Sequence, residues 1–149
     1  SADQTIKIWD LETGVVKRSL TGHTSSVFTL VINENKNELI SGSFDRTIKI
    51  WDLETGVVKR NLTGHTGAVN ALVINENKNE LISGSDDRTI KIWDLETGVL
   101  KRNLTGHTRG VYALVINENK NELISGSDDN TIKIWNLETG VEKRNLNGH

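Results

Sequence analysis

The stretch ELISGSDDRTIKIWD, Glu80 to Asp94, recurs almost unchanged as ELISGSFDRTIKIWD over residues 38–52 and as ELISGSDDNTIKIWN over residues 122–136. The end of the same motif opens the chain, in Thr5 to Asp10. Trp9, Trp51, Trp93 and Trp135 therefore stand 42 residues apart, as do the pairs Gly22-His23, Gly64-His65, Gly106-His107 and Gly148-His149. At 149 residues the chain holds roughly three and a half copies. A period in this range marks a propeller, solenoid or array of stacked units and outranks any local signal.

Each copy reads as four short strands. In the second, Val27–Ile32 is an apolar, β-branched run, followed by a polar turn at residues 33–37 and a second strand at Glu38–Ser43. A tight connection, Phe44-Asp45-Arg46, leads to a third strand at Thr47–Asp52. There Ile48 and Ile50 face one way, and Lys49 and Trp51 the other. The turn Leu53-Glu54-Thr55-Gly56 then gives a fourth strand, Val57–Leu62. Short strands spaced about ten residues apart indicate an all-β chain, and the fixed period favours a propeller over a sandwich.

Composition bounds the alternatives. No apolar run is long enough to span a membrane. With 18 basic and 20 acidic side chains, no broad field favours nucleic acid or an anionic surface. The absence of cysteine excludes disulfides and thiolate metal sites. No signal peptide is visible, which favours the cytoplasm. The opening on Ser1, inside a repeat, suggests a trimmed chain.

Gly-His, then SGSxD, then TIKIWD, repeated at this spacing, resembles the WD-repeat (WD40) β-propeller family over nearly the whole chain. Residues 43–84 and 85–126 differ at five of 42 positions. Such near-identity resembles recently amplified or engineered members. The resemblance implies blades of four antiparallel strands at 25–66, 67–108 and 109–149, preceded by the last two strands of another blade in 1–24. It also implies structural tetrads, hydrogen-bonded chains tying the loop before a blade to its second and third strands. These would be His23, Ser41, Asp45 and Trp51; His65, Ser83, Asp87 and Trp93; and His107, Ser125, Asp129 and Trp135. Ser43 and Ser85 share the strand face of Ser41 and Ser83 and compete for the serine place.

Two departures from the family pattern stand out. Where the first turn usually reads Pro-Asp-Gly, this chain has Glu34-Asn35-Lys36, Glu76-Asn77-Lys78 and Glu118-Asn119-Lys120. Lys in the place of Gly implies strain or a different turn. The last copy also has Asn136 where the others have Asp after Trp.

Serine, histidine and aspartate together suggest a hydrolase triad, but that chemistry needs one exposed nucleophile with an oxyanion hole. A trio repeated in every cycle reads as a buried, satisfied network, and no enzyme and no cofactor are expected. Histidines spaced one per blade lie too far apart to share a metal. The pairs Lys17-Arg18, Lys59-Arg60, Lys101-Arg102 and Lys143-Arg144 fall on fourth strands, where charge protects an outer edge; Glu12, Glu54, Glu96 and Glu138 in the adjacent turns offset them. The sequon matches Asn61-Leu62-Thr63 and Asn103-Leu104-Thr105 repeat with the block and imply nothing by themselves.

The differences between copies are more informative. They concentrate in the loop after Gly-His (Ser25-Ser26, Gly67-Ala68, Arg109-Gly110), at the start of the first strand (Phe28, Asn70, Tyr112) and in the connection between second and third strands (Ala2-Asp3, Phe44-Asp45, Asp86-Asp87, Asp128-Asp129). In the WD-repeat family these positions line one face of the disc, where partners dock. All the Phe and Tyr residues of the chain fall there, with Arg109, and such anchors suit hot spots. A partner-binding face of Ser26, Phe28, Phe44, Ala68, Asn70, Asp86, Arg109, Gly110, Tyr112 and Asp128 is one reading; neutral drift at exposed positions after duplication is the other.

Blades need neighbours on both faces, and propellers usually close with four to eight. A homo-oligomeric ring is therefore expected, with two copies favoured and a trimer as the alternative. The expected function is a protein- or peptide-binding scaffold with no nucleic-acid or membrane role. A propeller whose only activity is assembly is the competing expectation.

Overall fold

The computed structural model describes residues 3–147. Ala2 of the variable connection and the last Gly-His pair, Gly148-His149, lie outside the described residues. Among those residues there are fourteen strands and two 3-10 turns. Three antiparallel meanders of four strands form in chain order: β3 to β6 over Val27–Leu62, β7 to β10 over Val69–Leu104, and β11 to β14 over Val111–Asn147. A two-stranded sheet precedes them, β1 at Ile6–Trp9 and β2 at Val16–Leu20. The strands match the sequence reading to within one residue at most ends, because alternation and turn residues both set them.

The sheets stack as blades, with β3, β7 and β11 adjacent along the inner side. Pleating gives each sheet two apolar faces. One face of the first full blade offers Ile40, Ile48, Ile50 and Leu62, which meet Val69, Leu72, Leu81 and Trp93 of the second. The second presents Ile82, Ile90, Ile92 and Leu104 to Val111, Leu114, Leu123 and Trp135 of the third. The β1–β2 hairpin contributes Ile6 and Leu20 against Val27, Leu39 and Trp51. Each interface is thus built from the same two half-patterns of one repeat.

Two glycines make this close stacking feasible. A Cβ at Gly42 would stand 2.7 Å from Val69 Cγ1, and one at Gly84 would stand 2.8 Å from Val111 Cγ1.

Of the two alternatives for the turn between first and second strands, strain on lysine or a different turn, the structure has the different turn. Lys36 and Lys120 end short 3-10 turns, and it is the next residue, Asn37, Asn79 or Asn121, that takes positive φ, at 54–55°. Asparagine tolerates this left-handed region better than other side chains with a Cβ. The structure corrects one expectation: the fourth-strand lysines are not simply a solvated edge offset by the neighbouring turn. Lys59, Lys101 and Lys143 pair with Glu38, Glu80 and Glu122 on the second strand of their own blade, and Glu38 and Glu80 are buried. The turn acids Glu96 and Glu138 reach across to Lys36 and Lys78 of the preceding blade, each pair at 3.1 Å.

Candidate functional site

Beneath the face that carries the variable loops, each full blade holds one buried relay. Trp51, Trp93 and Trp135 donate their indole N–H to Ser41, Ser83 and Ser125 Oγ at 2.8, 2.9 and 2.8 Å. Those hydroxyls lie 2.7 Å from Nε2 of His23, His65 and His107. Nδ1 of each histidine sits 2.8 Å from Asp45, Asp87 or Asp129. The tryptophan can only donate and the ionised carboxylate can only accept, so the serine accepts at one end of each relay and Nδ1 donates at the other. A serine fully buried and held from both sides is inaccessible to a substrate.

The carboxylates are bound on several sides. Asp45 accepts from Thr24 N at 3.0 Å, Thr47 N at 2.9 Å and Thr47 Oγ1 at 2.6 Å as well as from His23. Desolvation pushes its pKa up, but the bonds from Thr47, His23 and Thr24 outweigh it and hold the group down at about 2. Asp87 and Asp129 are lowered in the same way. Burial also lowers His23, against the pull of Asp45.

The second serine of the SGS motif has a separate task. Ser43 Oγ donates to Ser26 O at 2.8 Å and accepts from Asp45 N at 3.0 Å; Ser127 Oγ likewise reaches Arg109 O at 3.2 Å. Backbone bonds run beside it, from Phe44 N to Ser26 O, Asp86 N to Ala68 O, and Asp128 N to Gly110 O, at 2.9, 2.9 and 3.2 Å. The two variable loops of each blade are therefore tied together. The third variable position is a β-bulge: strand register shifts between Val27 and Thr29, Val69 and Ala71, and Val111 and Ala113. Phe28, Asn70 and Tyr112 are the extra residues, and a bulge re-aims its side chain.

All ten positions read from the sequence as a face thus lie at these loops and bulges, and many touch. Phe28 and Phe44 meet edge to face, ring centroids 6.0 Å apart, and are 52% and 56% exposed. Asn70 donates to Asp86 Oδ1 at 2.9 Å. The carboxylate of Asp86 across the blade boundary, burial and the nearby Asp128 push the pKa of Tyr112 up to about 12. Ala68 is buried, while Arg109 is exposed. Sequence reasoning missed the role of Gly110. A Cβ there would stand 2.8 Å from Asp86 Oδ1, so the glycine in one blade makes room for the aspartate of the blade before it.

The WD domain, G-beta repeat pattern matches three times, at residues 14–52, 56–94 and 98–136. The chain belongs to the WD40 family. No curated protein matches it. WD40 domains generally mediate protein–protein interactions and are generally non-catalytic scaffolds, and the repeated blades fit such a scaffold. In this WD40 chain the relays hold the blades, and the bulges and paired loops present what differs between them.

Proposed function

We propose that this chain is a non-catalytic scaffold that assembles into a multi-bladed ring and binds a protein or peptide on the face formed by the variable loops. The observation that carries the binding reading is the exposed Phe28–Phe44 pair. Two aromatic rings in mutual contact, fixed by the Phe44 N to Ser26 O bond, form a rigid apolar anchor of the kind hot spots favour. The differences between blades also come as fitted sets: aromatic with aromatic in one blade, Asn70 with Asp86 in the next, Gly110 with Asp86 across a boundary. Independent drift has no reason to produce such matching.

Panning a random peptide library against the purified chain, followed by titration of the selected peptides, tests this reading. Phe44→Ala and Tyr112→Ala, both at exposed positions, are expected to weaken binding at least about tenfold, the loss of one hot-spot side chain. Selected peptides that bind both variants as well as the parent would overturn it and leave assembly as the chain's activity.

A further inference from the structure

The repeat shows what each blade face packs on, and two faces in the described residues lack that cover. On the outer face of the last blade, Leu146 is 43% exposed, whereas its equivalents Leu20, Leu62 and Leu104 are 1–2% exposed. Ile132 and Ile134 beside it are half-buried, against full burial for Ile48, Ile50, Ile90 and Ile92. At the other end, Leu11 is 99% exposed, while Leu95 and Leu137 at the same place are 3% and 4%. Trp9, beside it, is 53% exposed.

The turn glycines report the same vacancy more sharply. At Gly56, Gly98 and Gly140 a Cβ would stand 3.2, 2.9 and 2.9 Å from Leu20, Leu62 and Leu104 of the preceding sheet. At Gly14 it would meet nothing within 4 Å. The series pairs each turn glycine with the leucine of the sheet before it, so the counterpart of Gly14 is a leucine in the place of Leu146.

Charge repeats the pattern. Lys36 and Lys78 each bridge to a glutamate of the next blade, Glu96 and Glu138. Lys120, next in the series, has no such blade after it in the described residues. Glu12 holds the matching place in the β1–β2 turn. One end carries the cation and the other the acid.

We infer that the chain docks head to tail on a second copy of itself, its β1–β2 hairpin seated on the outer face of the β11–β14 sheet, with Gly14 against the partner copy's Leu146 and Glu12 against its Lys120. This rests on the assembly proposed above and names the surfaces that make it.

The test is mass by light scattering on the full chain and its variants. Wild type is expected at twice the monomer mass. Leu146→Glu and Leu11→Glu, both at side chains exposed in the single copy, are each expected to give folded monomers with unchanged far-ultraviolet dichroism. An equal mixture of the two is expected to recover a dimer, because one intact hairpin face then meets one intact outer face. Lys120→Glu is expected to weaken assembly several-fold at low salt, and Glu12→Lys with Lys120→Glu to restore it. If Leu146→Glu keeps the wild-type mass, this interface is overturned while assembly stands. A wild type that is folded and monomeric overturns both. A mixture that stays monomeric, or a double charge variant no better than the singles, overturns the head-to-tail register.

Discussion

The hydroxyl of Ser83 lies 2.7 Å from His65 Nε2 while accepting the Trp93 indole proton at 2.9 Å. That single oxygen joins the third strand of its blade to the loop before the blade.

Replacing it should therefore orphan two buried groups at once. Ser83→Ala is expected to destabilise the fold by about 1–3 kcal/mol for each unsatisfied group. Urea denaturation should show a lower midpoint with an unchanged slope.

Acid should weaken the relays in two stages. His23 is held below its ordinary 6.5, so the unfolded chain binds its proton first; stability from it is complete above about 6.5 and declines as pH falls through that value. Asp45 is held at about 2 against an ordinary 3.8; its contribution is complete above 3.8 and is lost as pH falls toward 2. Denaturation midpoints measured across this span should fall in both windows, and Asp45→Asn should shallow the lower one. A flat profile would count against the assignment.

Glycine at the centre of SGS should matter only where a neighbouring blade presses on it. Gly84→Ala drives a methyl into Val111 and is expected to cost about 1–3 kcal/mol. The same change at Gly126, where the nearest atom is Ala113 Cβ at 3.6 Å, should be nearly silent. Thermal melts of the two variants compare them directly.

Asn79→Ala should cost about 1 kcal/mol, because alanine resists the φ of 54° that the turn requires. Asn79→Gly should stay closer to wild type. Equal losses in both, by chemical denaturation, would mean that the asparagine side chain rather than its backbone matters there.

The inter-blade ion pairs should be weak by contrast. Lys78 and Glu138 are both about half exposed, so Lys78→Ala is expected to change stability by less than about 1 kcal/mol. Even that difference should vanish near molar salt.

How much of this was legible depended on range. The variable positions could be read because they fail to repeat at fixed places, and the tetrad residues because the repeated motifs resemble those of the WD-repeat family. The pairing of Lys59 with Glu38 could not, since it spans a blade across an intervening strand and alternation alone leaves Lys59 on an open edge. Nor could the choice between Ser41 and Ser43: both point the same way, and only the position of the Trp51 indole distinguishes them. The αL place of Asn37, Asn79 and Asn121 was not legible either, because the sequence left open whether lysine was strained or the turn was of a different type.

By itself the sequence determined the all-β class and the four strands of each blade, since period, alternation and turn chemistry are local and occur several times over; the tetrads it gave only through the family resemblance, with the serine left open. Tertiary structure alone decided which groups meet between blades. Gly110 against Asp86, Gly98 against Leu62 and Lys36 against Glu96 join residues whose proximity depends on how one sheet stacks on the next. That stacking is set by side-chain packing across the interface, which no single repeat contains.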